Sequence, residues 1–415
     1  MSQSGGAAAA TTARAVRLPL DALIPFVVAF GVVRVPGVDW LYAALGIALM
    51  VRARHLSRAS AGLGIVYAVS AVCALVATLA DGSSDAFVAS YLWPVLAQAL
   101  FALGVMAGAD PALQVRRLIG GLLGGLMVLW VVGLAEIATG VKLVRVFTPS
   151  SKMAEFAAAN RWVTSAVFAN YNDYCLALSM LAALVFAHVL FVPRVHPFVA
   201  LARWGVLGSS AALVAIMGSR GALAAGLLSA GVITVLAIRA VRPHLVTPSR
   251  LGVAAIIASP PAMWLWSSPY VQDHSTVIRE EIIGNSVALW RLDPFTATVG
   301  YGSSATYTSV TEAIYPDKLM DPHNLFLEVA INFGLVALAL AAWWWLDRLR
   351  HTITGRAEAQ TWAEAGSLAL VAALPVMGVV SSRMLPYIYV TVLATAASLI
   401  RPVLRTEPAN DVGTA

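Results

Sequence analysis

Residues Trp204–Ile238 read WGVLGSSAALVAIMGSRGALAAGLLSAGVITVLAI, apolar or small throughout except for Arg220. As one α-helix this run would be about 50 Å long at 1.5 Å per residue, whereas the hydrocarbon layer of a bilayer is about 30 Å thick. One span cannot use that length. It would also carry Arg239, Arg242 and Arg250 to the wrong side. The step Gly218-Ser219-Arg220-Gly221 near its middle therefore predicts two short spans joined by a turn, with Arg220 at the turn.

The rest of the chain follows the same pattern. Of 415 residues, 60% are hydrophobic and 12% charged, and mean hydropathy is +0.80. Soluble domains carry about 25% charged residues, so a soluble fold is excluded. The alternation of an outer-membrane barrel is absent. Apolar runs predict helices near 18–33, 38–51, 62–80, 88–107, 118–139, 172–192, 203–218, 221–238, 251–267, 324–346, 363–382 and 386–400. The expected fold is an all-α bundle of about 12 spans.

Threading these runs puts 17 Lys/Arg on the side of both termini and 10 on the other, so the positive-inside rule makes both termini cytoplasmic. The sets Arg52/Arg54/Arg58, Arg116/Arg117, Arg239/Arg242/Arg250 and Arg348/Arg350/Arg356 are read as topology signals. They explain most of the net charge of +6 without a nucleic-acid partner. The divisions are a cytoplasmic tail (1–17, a retained tail rather than a signal peptide), spans 1–5 (18–139), an external loop (140–171), spans 6–9 (172–267), a long external loop (268–322), spans 10–12 (323–400) and a second tail (401–415). Cys73 and Cys175 lie in or beside apolar helices, with no spacing that implies a disulfide or a metal site.

Structureless loops longer than about 15 residues are usually functional or disordered. In 268–322, Ile278, Ile282, Ile283, Val287 and Trp290 follow the 3.6-residue period, which predicts an amphipathic helix against the membrane or the bundle.

The strongest chemical candidate is Asp321-Pro322-His323-Asn324-Leu325-Phe326-Leu327-Glu328, where the long loop re-enters the membrane. Asp321 has N-cap chemistry and Pro322 suits the first helical position, which predicts His323 in the first helical turn. Imidazole titrates near neutral pH and the positive end of a helix disfavours its cation, so His323 suits a general base for a hydroxyl. A solvated loop histidine is the plainer alternative. Arg220, between glycines and before a helix, would make a compact anion site, or it could simply reach the headgroups. Arg279 opens the amphipathic segment and could reach the same outer pocket. Asn170 and Asn172 follow Arg161 and are set to cap the next helix; Arg383 sits in the last outward turn. Lys142, Arg145 and Lys152 add positive charge to the first external loop. No Walker loop, dinucleotide fingerprint or metal-ligand cluster is present, so neither cofactor nor metal is expected.

The order of these motifs resembles the O-antigen ligase and O-antigen polymerase superfamily of bacterial membrane glycosyltransferases, over roughly Arg161 to Leu338. Arg161 through Asn172 is similar to the family's Arg…Phe-x-Asn-x-Asn stretch, Gly218–Ala222 to its Ser-Arg-Gly-Ala turn, and Asp321–Leu335 to its His-Asn-x-x-Leu…Gly-Leu box. Arg279…Asp293-Pro294-Phe295…Gly300-Tyr301-Gly302 resembles the element that precedes the histidine. The chain departs from the pattern at Tyr171, where proline is usual, and at the added carboxylate Asp173.

The resemblance implies a glycan donor on a polyprenyl diphosphate and transfer to an acceptor hydroxyl on a lipid or cell-envelope glycan, at the outer face of the bacterial plasma membrane. No nucleotide sugar or metal is involved. It assigns diphosphate binding to Arg220 and Arg279 and activation of the acceptor hydroxyl to His323. Arg161, Asn172, Asp321, Asn324 and Arg383 become cavity or supporting residues. All lie on the side that charge counting makes external. Two alternatives stay open: a polymerase joining lipid-linked repeat units, and a lipid or glycan transporter. Transporters show repeated halves and broken helices, and the sequence predicts neither here.

Overall fold

The computed structural model describes residues 20–52, 61–80, 86–108, 110–141, 162–168, 170–247, 249–251, 274–316, 322–354, 359–381, 384–385 and 387–400. Regular structure among them is entirely helical. A 3-10 turn, Leu20–Leu23, leads into α1 (Ile24–Val32), α2 (Val38–Arg52), α3 (Ala61–Ala80), α4 (Ala86–Met106) and α5 (Pro111–Thr139). Then come α6 (Tyr171–Phe191), α7 (Pro197–Ile216), α8 (Arg220–Val241), α9 (His274–Trp290), α10 (Pro294–Val299) and α11 (Ser304–Ile314). The chain closes with α12 (Leu325–Thr354), α13 (Trp362–Val380) and α14 (Ile388–Leu399).

Seven of these helices, α3, α5, α6, α7, α8, α12 and α13, are long and apolar enough to cross a membrane. Shorter apolar helices cover Leu20–Val32, Leu92–Met106 and Ile388–Leu399. The protein is therefore a multi-pass helical membrane protein. The expected span 251–267 lies, beyond Leu251, outside the described residues. The expected break in 204–238 falls between α7 and α8, where Gly218 takes a φ of +71°.

Helices α6, α13 and α14 are the most enclosed and make the centre of the bundle. The outward faces of α2, α7 and α8 present Trp40, Leu201 and Leu227. Between α2 and α4 the backbones nearly touch: a Cβ on Gly46 would fall 2.4 Å from the Leu100 carbonyl oxygen, and one on Gly104 would fall 2.3 Å from that of Gly46. Where no water is squeezed out between helices, such small-residue contacts supply the packing energy. Polar side chains in the interior pair with one another: Thr391 donates to Gln98 Oε1 (2.9 Å), and Trp344 Nε1 donates to Ser398 Oγ (3.0 Å).

Helix α12 overturns two expectations, a continuous span over 324–346 and a bundle without broken helices. Gly334 has φ +77° and ψ −177°, which ends one helix and starts another. The rings of Phe326 and Trp345 lie 5.8 Å apart edge to face, although on a straight helix these positions would be separated by about 28 Å. Residues 325–333 therefore form a half-helix folded toward the longer segment 335–354. The break deprives the Ile331 and Asn332 carbonyls of helical partners. They accept instead from the Tyr301 N–H (2.7 Å) and the Gly302 N–H (3.0 Å). This backbone-on-backbone contact needs Gly300, whose Cβ would fall 2.5 Å from the Asn332 carbonyl carbon.

A helix, α9, does occupy the second long loop; it packs on protein, and of the expected apolar stripe only Ile282 is fully buried. Ile282, Ser286 and Leu289 are its buried face, while Ile278 is exposed. Leu289 clusters with Tyr307 of α11 and Ile331 of α12. The Tyr301 hydroxyl donates to the Leu289 carbonyl (2.8 Å), and Ser286 Oγ bonds to the Tyr307 hydroxyl (2.8 Å).

Replacing Gly334 with alanine forces a Cβ to 2.0 Å from the Thr298 carbonyl oxygen at a positive φ, a conformation costing about 1–3 kcal/mol even without a clash. The thermal midpoint in detergent is expected to fall by several degrees. Gly120→Ala, whose Cβ meets nothing within 4 Å, is expected to hold or raise it through helix propensity.

Candidate functional site

One end of the bundle gathers turns from six parts of the described chain: 33–37, 162–168, 217–219, 299–302, 322–324 and 384–385. It is the end that charge counting assigns to the outer face. Three buried carboxylates hold it together. Glu136, in the last turn of α5, accepts from the Thr164 hydroxyl and from the Ala166 N–H (3.2 Å). Asp173, in the first turn of α6, accepts from the Tyr387 hydroxyl (2.9 Å). Glu328, in the half-helix, accepts from the Met384 N–H (2.7 Å) and the Leu385 N–H (3.2 Å). Glu136 and Glu328 satisfy N–H groups of turns that have no secondary structure of their own, an arrangement made necessary by the cost of an unmatched buried amide, whereas Asp173 takes a side-chain hydroxyl.

The box around His323 is built differently from the expectation. The helix begins at Leu325, and Asn324 is its cap: Asn324 Oδ1 accepts from the Phe326 N–H (3.0 Å) and the Leu327 N–H (3.1 Å). His323 therefore precedes the helix instead of occupying its first turn. It is buried, with φ +44°, a left-handed conformation that costs energy for any residue with a side chain. Asn324 wins the cap because its short amide reaches two N–H groups at once. Asp321 lies outside the described residues. From the other side α13 approaches closely: a Cβ on Gly378 would fall 2.7 Å from the Leu325 nitrogen.

Arg220 is the first residue of α8. Its N-cap, Ser219, makes no side-chain bond to the helix; the hydroxyl donates instead to Asn172 Oδ1 (2.9 Å). Asn170 does the capping of α6, accepting from the Asn172 N–H (2.9 Å). The two asparagines thus divide the work: Asn170 ends the loop, and Asn172 ties α6 to the start of α8. A guanidinium and a helix N-terminus with no serine cap occupy the same turn, chemistry suited to an anion.

Arg279 is half-buried in the first half of α9, whereas the packing of α9 on α12 runs through Leu289 and Ile331 in its second half. Asn172 and Arg220 are brought together through Ser219, and the His323–Asn324 box is joined to the 384–385 turn through Glu328. Arg161 and Arg383 fall outside the described residues, as do Lys142, Arg145 and Lys152. Between α9 and α10, Asp293 caps α10 by accepting from the Thr296 N–H (2.9 Å). Its bonds to the Thr296 side chain and backbone hold its carboxyl below the usual range.

Sequence reasoning missed Arg34, Glu136 and Tyr387 and gave Glu328 no role. Arg34, in a turn with φ +61°, holds its guanidinium 4.9 Å from the centre of the Tyr387 ring. A usable signal existed for the acids: Glu136 and Glu328 sit in apolar helices one or two turns from an end, where a charge is costly and needs a reason. At the opposite end, Arg239 donates to the Thr352 (2.5 Å) and Ile353 (2.8 Å) carbonyls at the close of α12. It caps that helix in addition to marking topology. Among the described residues no group of three or more His, Cys, Asp or Glu is arranged to hold a metal ion.

Glu328→Ala leaves the buried Met384 N–H and the half-buried Leu385 N–H without their acceptor, a loss of about 1–3 kcal/mol for the buried one and less for the other. A lower thermal midpoint and faster amide exchange at 384–385 are expected. Asn324→Ala should cost about 1 kcal/mol, with Asn324→Asp near parental stability.

No protein-family model matches this chain, and no curated protein matches it significantly.

Proposed function

We propose that the protein is an O-antigen ligase-like membrane glycosyltransferase, moving a glycan from a polyprenyl diphosphate to a hydroxyl of a lipid or cell-envelope glycan at the external face of the bacterial plasma membrane. The observation that carries this reading is the convergence on one rim of the turn bearing Arg220 and the turn bearing His323, residues more than a hundred positions apart in sequence. The motif order described above supports it.

In this reading the acceptor hydroxyl attacks the anomeric carbon while the bond to the diphosphate oxygen breaks, with inversion. His323, at the positive end of the 325–333 half-helix, takes the hydroxyl proton. Arg220, with the N-terminus of α8, neutralises the charge that grows on the departing diphosphate, and Arg279 joins it from the external arm. Stabilising that charge is the largest expected contribution. A polymerase differs only in its acceptor, a second lipid-linked repeat unit. The break at Gly334 favours one reading of another class, since discontinuous helices are a device of transporters.

Purified protein incubated with a polyprenyl-diphosphate glycan and candidate acceptors is expected to elongate an acceptor and release polyprenyl diphosphate. Arg220→Ala should slow this about 10²–10³-fold, and His323→Ala about 10²–10⁴-fold. Equal rates for His323→Ala and the parent remove the general-base assignment; movement of the glycan-lipid across vesicles without transfer selects the transporter.

Orientation has its own test. Cysteines replacing the exposed Leu292 and Arg350, in a protein whose own cysteines are changed to alanine, are probed with an impermeant maleimide on spheroplasts. Labelling at position 292 alone is expected. Labelling at 350 alone inverts the topology and removes the proposed function with it.

A further inference from the structure

A series of polar contacts on the rim runs from the neighbour of Arg220 to the neighbour of His323. The Ser219 hydroxyl donates to Asn172 Oδ1 at 2.9 Å. The next residue, Asp173, accepts from the Tyr387 hydroxyl at 2.9 Å. The Tyr387 N–H donates to the Met384 carbonyl at 2.9 Å, and the Met384 N–H donates to Glu328 at 2.7 Å. The Glu328 N–H returns to the Asn324 carbonyl at 2.8 Å. Cutting the bond between Tyr387 and Asp173 divides this series into one part holding Arg220 and another holding His323.

Both partners in that bond are confined. Asp173 is buried in the first turn of α6. The Tyr387 ring stacks on Tyr389 (centroids 4.9 Å apart, 15° between planes) and meets the edge of Phe168 at 5.6 Å. The Arg34 guanidinium lies 4.9 Å from its centroid. A tyrosine held by four groups transmits position well, because its hydroxyl cannot leave the carboxylate without disturbing three packed side chains. Arg34 keeps its place at a positive φ, a cost the surrounding contacts must offset.

We propose that Tyr387 and Asp173 are positioning residues that set the separation between Arg220 and His323. On the reading of function above, on which this inference rests, that separation is the distance between the diphosphate and the acceptor hydroxyl. Neither residue touches substrate; each acts through the segments it joins.

The test combines a distance with a rate. Spin labels replace the exposed Leu223 of α8 and Phe295 of α10; the latter helix rides on the half-helix through Tyr301 and Gly302. Both native cysteines are changed to alanine in the full chain in detergent or nanodiscs. Tyr387→Phe is expected to broaden the label-to-label distance distribution. It should also lower kcat for transfer from a synthetic polyprenyl-diphosphate disaccharide about tenfold or more, with KM for that donor within about twofold, since misplacement of about 1 Å costs up to about 10²-fold in rate. Asp173→Asn keeps an oxygen acceptor for the tyrosine and is expected to match the parent in both readings. Asp173→Leu cuts the same bond from the other side and serves if Tyr387→Phe does not fold.

A parental distance distribution in the folded cut variants overturns the proposal, whatever the rate. An Asp173→Asn variant that loses turnover at parental distances also overturns it, because the carboxylate would then belong to the chemistry. If the parent transfers no glycan, the reading of function fails, while the distances still decide whether the bond sets the geometry.

Discussion

Wherever this chain stops being helical near or within the hydrocarbon layer, it leaves amide groups that water cannot reach, and each such group must find a partner in the protein. The break at Gly334 is the plainest case. The Ile331 and Asn332 carbonyls lose their helical donors there, and the N–H groups of Tyr301 and Gly302 take their place. That exchange fixes the arm formed by α9, α10 and α11 to α12, because α9 and α11 rest on the same segment through Leu289 and Tyr307. The turns at 164–166 and 384–385 meet the same constraint with Glu136 and Glu328 as acceptors. At the far end the closing carbonyls of α12 meet it with Arg239.

This constraint also separates what could be read from the sequence from what could not. Span length and hydropathy are local, and they foretold α3, α6, α8 and α13 to within about three residues, while α5 and α7 begin well before the expected 118 and 203. The turn at Gly218 was legible because no bilayer accommodates the helix that would result without it. Gly334 sits in a run as apolar as any span, and its left-handed backbone is demanded by Thr298 and Gly300, partners distant in sequence from most of the run. The N-cap was misplaced for a related reason. Asp321, Asn324 and Pro322 all carry start signals, and only the fold around Gly378 decides which of them meets the helix.

The candidate site was legible in kind more than in arrangement. Arg220 and His323 stood out because a cation beside glycines and a histidine beside a loop-to-helix transition are chemically distinctive. What joins them stood out less, because the joining residues are ordinary in isolation: of a serine, an asparagine, a tyrosine and two acids, only Asn172 was given a supporting place by the resemblance. Their roles arise from pairings across long sequence separations, such as Tyr387 with Asp173 or Ser219 with Asn172, and no periodicity marks such pairs.

Three buried carboxylates at one end of a membrane bundle are an expensive way to gain stability. Replacing a buried charge and its partner with well-packed apolar groups is often neutral or stabilising, and packing alone suffices elsewhere in this bundle, as between Gly46 and Gly104. Directionality is what the acids add. An apolar contact tolerates sliding by an ångström, whereas Glu328 accepting two consecutive N–H groups fixes both the position and the orientation of the 384–385 turn. The carboxylates lie on the rim, with the turns that carry Arg220 and His323, where an ångström matters to chemistry and where hydrogen bonds can be kept out of lipid. Elsewhere in the bundle, apolar close packing and a few neutral polar pairs, such as Thr391 with Gln98, serve where register along the span suffices.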